Sequence, residues 1–202
     1  GTGIAPVGQI ISVSDRFVNL LPQDVQGIDF GIVWRLRDTP VGDFRANINA
    51  AKLTKFSREP GPQIDALYAA RAAGTINAAT PLPDSSSLVA QNGRPEWKVS
   101  GTVTWANGPW QVGVFTQYIS AVDDTLLIGA SGTPWEVESR LTGNLYGQYE
   151  FEDRFGIANN TKLRAGVRNI TNQAPPLSSA GYLGSLYQPY GRYWYMSVTK
   201  TF

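Results

Sequence analysis

The stretch Gly191-Arg-Tyr-Trp-Tyr-Met-Ser-Val-Thr-Lys-Thr-Phe202 decides the fold class of this chain. Trp194, Met196, Val198, Lys200 and Phe202 fall on one face, and Tyr193, Tyr195, Ser197, Thr199 and Thr201 on the other. That period of two suits a strand lying between unlike media. Soluble domains usually finish in a few polar, loosely held residues, whereas this sequence finishes on a large ring. The pattern predicts a terminal strand fixed in a sheet; an ordinary last strand of a soluble sandwich is the competing reading.

The alternation recurs upstream. Trp135 to Phe151 alternates over 17 residues, with Trp135, Val137, Leu141, Leu145, Tyr149 and Phe151 facing Glu136, Glu138, Arg140, Thr142, Gln148 and Glu150. Globular strands usually run about 5–6 residues, so this length suits a tilted strand that crosses a membrane and projects beyond it. Further strands read at Ile28–Leu36, Phe44–Ala50, Trp97–Trp105, Trp110–Tyr118 and Leu163–Val167, with a hairpin at Gly8–Val13 and Phe17–Leu21. Asn107-Gly108 is the strongest short hairpin signal.

Residues 57–93 interrupt the pattern with Pro60, Pro62, Pro81 and Pro83 and an Ala-rich piece, Ile64–Ala73, which reads as a short helix stopped by Gly74. Such a connection is far beyond ordinary hairpin loops. Short turns at 37–43, 106–109 and 152–160 alternate with long loops at 57–93, 123–134 and 172–190. Aromatic residues mark the strand ends: Trp34, Trp105, Trp110, Tyr149 and Phe151 by the short turns, and Trp97, Tyr118, Trp135 and Trp194 by the long loops. Together these predict an all-β, antiparallel transmembrane β-barrel wall of about eight strands, apolar in the middle and aromatic at both interfaces.

Composition excludes several functions. The net charge of +1, from 17 basic and 16 acidic residues, supplies no field for nucleic acid. With no cysteine and no histidine, thiolate and imidazole catalysis and their metal sites are unavailable. No apolar run is long enough for a spanning helix, a test to which barrel strands are blind. The opening Gly1-Thr-Gly-Ile-Ala-Pro6 reads like the interior of a loop, as in a mature or cut fragment.

Leu163-Arg-Ala-Gly-Val-Arg-Asn-Ile-Thr-Asn172, then Pro175-Pro176, then Tyr187-Gln-Pro-Tyr-Gly-Arg-Tyr-Trp-Tyr195 up to Phe202, closely resembles the C-terminal end of TonB-dependent outer-membrane receptors. A GVRN(L/I) strand, a PP loop start and a Y-x-P-x-G-R-x-(Y/F/W)-Y entry into the last strand recur in that family. Gln26-Gly-Ile-Asp-Phe30 and Arg94-Pro-Glu-Trp97 resemble recurring strand starts of the same family, and the likeness runs over most of residues 9 to 202. It departs in two places: the family's plug domain and TonB box have no counterpart in these residues, and Lys200 stands where an aromatic or apolar residue is commoner.

The resemblance implies that residues 1–202 are the C-terminal part of a plugged barrel of about 22 strands. The site would be the outer membrane of a Gram-negative cell. The implied partners are the remaining N-terminal barrel and plug polypeptide, TonB acting through the plug, outer-membrane lipid and lipopolysaccharide, and an unidentified scarce nutrient. Trp194 and Phe202 would serve barrel closure and insertion; no catalysis and no cofactor is implied. Two other classes stay open: an autonomous eight-stranded barrel with a structural or adhesin role, and a soluble carbohydrate-binding sandwich.

Candidate ligand contacts are Tyr182, Tyr187 and Tyr190, whose rings would stack on a sugar or aromatic chelator, with Gln117, Glu138 and Arg140 on the polar face. Glu136 and Glu138, about 6.6 Å apart along a strand, have the separation of a glycosidase pair. Solvated charges pairing with Arg164, Arg168 or Lys98 are the simpler account. Asp123-Asp124 offers cation oxygens, but adjacent acids at a loop edge are usually only solvated, and no metal site is assigned.

Overall fold

Seven strands pair antiparallel into one sheet because every one of them alternates in phase with its neighbours. The computed structural model describes residues 22–78, 80, 82, 86–151, 156 and 159–201. The strands are β1 (Gln23–Thr39), β2 (Gly42–Arg58), β3 (Trp97–Asn107), β4 (Trp110–Ile119), β7 (Arg140–Phe151), β8 (Thr161–Arg168) and β11 (Tyr193–Lys200), in the order β1-β2-β3-β4-β7-β8-β11. The expected hairpin at Gly8–Val13 and Phe17–Leu21, the turn residues 152–155 and Phe202 lie outside the described residues.

The strand register aligns the apolar residues. Ile32 sits opposite Ile48, Ile48 opposite Gly101, Val103 opposite Val114, Val114 opposite Leu145, Leu145 opposite Val167, and Val167 opposite Trp194. The apolar set of each strand therefore continues that of the next, and one unbroken apolar face spans the sheet. A slip of one residue anywhere would break it. Most of this face is left uncovered by the described chain: Ile32 is 62% exposed, Met196 72% and Trp194 77%, although Val167 is buried on it.

Aromatic rings edge the face at both ends. By the short turns, Phe44 pairs with Trp105, and Trp110, Tyr149 and Phe151 stack edge to face at centroid distances of 4.7 and 4.9 Å. Near the other end, Trp97 lies under the Lys52 ammonium, 5.1 Å from its ring centroid. Trp97 and Trp105 are eight residues apart on β3, about 26 Å along the strand at ~3.3 Å per residue, or roughly 20 Å of height at the usual tilt of barrel strands, on the scale of an apolar band about 25 Å tall.

A soluble sheet of this size would bury a core, but the buried hydrophobic residues among those described are only Ile119, Val122, Val137, Val167 and Tyr187. Four of these cluster at the long-loop end with Tyr182, Leu183 and Leu186 packed against them. The sheet is held by its backbone ladder and cross-strand pairs, and its apolar surface is left for the surrounding medium.

The connections differ in one respect from the sequence reading. The alternation Trp135–Phe151 is not one strand: it breaks at Glu138-Ser139 into β6 (Pro134–Val137) and β7. β6 pairs with β5 (Val122–Ile128), so the expected loop at 123–134 is a hairpin that forms a separate two-stranded sheet. The pattern of two cannot reveal which partner a strand takes. Two residues, Gly108 and Pro109, make the β3–β4 turn, with Gly108 at φ 54° in the first central position, where positive φ is needed. The helix α1 spans Pro62–Ala72, with Gly74 beyond its end at φ 76°. Among the described residues, no helix is long and apolar enough to cross a membrane.

The ammonium of Lys200 donates to the Asn159 carbonyl at the short-turn end, so its charged head is hydrogen-bonded at the edge of an otherwise apolar row.

Candidate functional site

The polar face gathers at its long-loop end into a roofed hollow. Two register pairs supply the floor, Gln117 opposite Thr142 and Ile119 opposite Arg140, with Arg168 opposite Tyr193 on the next strand pair. The roof is the connection from Asn169 to Arg192, which includes the small hairpin β9 (Leu177–Ser178) and β10 (Gly181–Tyr182).

Asparagine chemistry folds that roof back. Asn169 takes φ 50° and Asn172 φ 53°, left-handed conformations that asparagine tolerates better than most residues. The Asn169 amide donates to the carbonyls of Gln173 at 2.8 Å and Tyr190 at 3.3 Å, and its Oδ1 accepts from the Gln173 N–H at 3.0 Å. Its own N–H donates to Asn144 Oδ1 at 3.0 Å, which ties the turn to β7. Asn172 Oδ1 accepts from the Arg192 N–H at 2.8 Å. Both ends of the loop are thereby closed.

The three long connections also meet one another. Asp123 donates its N–H to the Ala90 carbonyl at 2.7 Å and accepts from Asn92 N–H at 2.8 Å, which joins the 57–93 excursion to β5. Asp124 and Trp135 join the β5–β6 hairpin to the third loop: Ser179 N–H donates to Asp124 Oδ2 at 2.7 Å, and Trp135 Nε1 donates to the Leu177 carbonyl at 3.0 Å. Burial works to raise the Asp124 pKa, but hydrogen bonds from the Ser179 hydroxyl and N–H and from the Leu126 N–H outweigh it, and the carboxyl ends below its ordinary range.

Under this roof lies a cavity of about 380 Å³ whose walls include Gln117, Arg140, Arg168, Asn169, Tyr187 and Tyr190. The Arg140 guanidinium sits 5.5 Å from the Tyr187 ring centroid and donates to the Gln173 carbonyl at 2.8 Å. Arg168 donates to the Tyr193 hydroxyl at 3.0 Å. Burial lifts the Tyr187 phenol above its ordinary range, with the Arg140 cation only partly offsetting it, so the group is a neutral donor.

Of the six ligand-contact candidates, the structure brings Gln117, Arg140, Tyr187 and Tyr190 to this one cavity. Tyr182 packs instead against the small core, and Glu138 is exposed between β6 and β7 and does not line the cavity. Glu136 pairs with Asp123 on the separate hairpin, so Glu136, Glu138 and Arg140 do not share one strand, which corrects the expectation. Nor do the charges pair as expected: among the described residues the ion pairs are Lys52–Glu96, Lys55–Asp24 and Lys162–Glu150. Arg164 lies instead over the Tyr146 ring at 3.6 Å. Sequence reasoning missed Arg168 and Asn169 as site residues; only the alternation of β8, which puts Arg168 on the polar face, pointed to the first.

A larger hollow of about 1070 Å³ runs along the sheet over Gly147 and Ala165, between Trp110, Tyr149, Trp194 and Met196. It follows the apolar face and carries few groups able to orient a ligand, so the smaller polar cavity is the candidate site.

The family model described as TonB dependent receptor-like, beta-barrel matches residues 2–170. The chain belongs to that family. The match spans β1 to β8 and supports the resemblance seen in the sequence, while β11, beyond it, continues the same sheet in register. TonB-dependent receptors are transporters rather than enzymes; their barrels stand in the outer membrane of Gram-negative bacteria and work with a plug and with TonB. No curated protein matches the chain.

Proposed function

We propose that this chain is the C-terminal part of the barrel wall of an outer-membrane active transporter that binds a scarce nutrient on its long-loop side and imports it with TonB-coupled energy. The observation that carries the reading is the single apolar face, in register across seven strands and rimmed by aromatic rings, backed by a polar face that holds a loop-roofed cavity. Lipid would meet the first face and a water-filled lumen the second, since a membrane tolerates a sheet only when its backbone groups are paired.

β1 and β11 are the two edges of the described sheet. Their outer backbone groups would pair with further strands of the same wall, because an unsatisfied group in lipid costs several kcal/mol. An arc of a larger barrel fits this better than a self-closed one. A soluble sandwich is disfavoured by the uncovered apolar face, which in water would drive aggregation.

The plug would lie in the lumen beside the polar face and carry the pull from TonB. The test is growth and nutrient uptake in cells that carry the whole gene, a deletion of it, or a deletion of the TonB gene. The reading predicts that both deletions abolish uptake of the same limiting nutrient; uptake that survives both would refute it.

A further inference from the structure

We infer that the cavity under the third loop is an anion-recognition site, and that its ligand carries a carboxylate or phosphate joined to a flat ring. The inference rests on the reading of this side as the nutrient-binding one.

Among the described residues, the cavity wall holds two guanidinium groups, Arg140 and Arg168, and no carboxylate. Neither arginine belongs to an ion pair among the described residues: Arg168 bonds to a neutral hydroxyl and Arg140 to a carbonyl oxygen. Arg140 is only 8% exposed. Leaving a cation this deeply buried without a counter-charge is costly. Its Nε has no hydrogen-bond partner.

A second polar group beside it is also unpaired. Tyr187 is 4% exposed, and its hydroxyl also lacks a partner. Buried polar atoms are nearly always bonded, and an unmade bond costs about 1–3 kcal/mol. Both orphan atoms are sealed from solvent, so a ligand oxyanion at this wall would act as the counter-charge for Arg140 and Arg168 rather than as a partner for those two atoms. Guanidinium groups take carboxylate and phosphate oxygens in a planar, two-point fashion.

The ring follows from the other walls. Tyr190 is 66% exposed and meets Tyr193 edge to face at 6.3 Å. Beside Arg168 the open Tyr190 ring offers a face on which a flat group stacks while its anionic end reaches inward. A volume of about 380 Å³ lies within the range of small-ligand pockets, roughly 300–1,000 Å³.

The probe is benzoate, with benzamide as its neutral match and inorganic phosphate as the bare anion, titrated into the whole purified receptor in detergent and followed by ligand-observed NMR. Expected is saturable benzoate binding at least about tenfold tighter than benzamide, with phosphate competing more weakly than benzoate. Arg168→Gln should weaken benzoate about tenfold and leave benzamide unchanged. Arg140→Gln should weaken it more, provided the variant keeps its heat-modifiable gel shift. Equal affinity for benzoate and benzamide, absence of benzoate binding, or an Arg168→Gln variant that binds benzoate as the parent does would overturn the site. Phosphate binding as tight as benzoate would overturn the ring. Because binding is read on the isolated receptor, an anion site that persists while the deletion strains show no uptake defect would refute transport and leave this inference standing.

Discussion

Tyr146 lies flat across Gly113, its partner directly opposite on the neighbouring strand, so closely that a Cβ on the glycine would sit 2.3 Å from the ring. Tyr195 repeats the arrangement over Gly166, where an added Cβ would meet the ring at 2.7 Å. In each case a ring covers the backbone that the glycine leaves bare, a cross-strand device that fixes register. Tyr146 is held from the other side by the Arg164 guanidinium and accepts from Gln111 Nε2 at 3.1 Å. Gly113→Ala should therefore destabilise the sheet by about 1–3 kcal/mol through overpacking. The heat needed to convert the folded band on a gel to the unfolded one should fall, and Gly147→Ala, where an added Cβ has open space, should leave it in place.

Asn169 should be the keystone of the third loop. Asn169→Ala removes the side-chain bonds to Gln173 and Tyr190 and leaves a residue ill suited to φ 50°. At ~1 kcal/mol per lost hydrogen bond and ~1 kcal/mol for the backbone, docking should weaken by about 2–4 kcal/mol. Limited proteolysis would show faster cleavage within 173–190. Asn169→Gly relieves the backbone but not the bonds, so it should fall between the parent and Asn169→Ala.

Docking of the same loop onto the β5–β6 hairpin should depend on pH through Asp124. Its carboxyl is held below the ordinary aspartate range by bonds from Ser179 and Leu126 that exceed the cost of burial. A depressed folded pKa stabilises the docked state fully above the undocked value, about 3.9. That contribution fades as pH falls below this value and through the folded pKa. Trp135, bonded to the Leu177 carbonyl, reports on the contact. Its fluorescence in a variant that keeps Trp135 as the single tryptophan should change across that acid window, and Asp124→Asn should abolish the change.

Adjacent residues on β2 face opposite sides of the sheet. Ile48 belongs to the apolar face, opposite Ile32, and Asn47 to the polar one, opposite Val33. Ile48→Lys should cost about 2–4 kcal/mol if it lies at mid-membrane and should reduce the amount of folded receptor in the outer membrane. Asn47→Lys should cost little. Equal losses would show that both faces meet the same medium.

Much of the fold was legible because membrane strands write their two media into alternate positions. Ile28–Leu36, Val99–Trp105 and Trp194–Val198 could be assigned to a face from the residues alone, and α1 was marked by its alanines and Gly74. The break at Glu138-Ser139 was not legible, since Val137 and Leu141 keep the same phase although they belong to different sheets. The cavity was half legible. Alternation puts Gln117, Arg140 and Arg168 on the polar face, but bringing Tyr187 over Arg140 takes a chain reversal at Asn169 and Asn172 that leaves no periodic trace.

One sheet presents an apolar face and a polar face, and its function follows from which medium each one meets. Site-directed spin labelling tests this most directly: residues 1–202 have no native cysteine, and with any cysteine elsewhere in the receptor replaced by serine, single cysteines can be placed along β3 from Val99 to Thr104. In the whole receptor in lipid, labels at Val99, Gly101 and Val103 should be relaxed by oxygen, which partitions into lipid, and labels at Ser100, Thr102 and Thr104 by a water-soluble nickel chelate. An alternation with a period of two confirms a membrane-spanning wall. Uniform access to the nickel chelate at all six positions would contradict it.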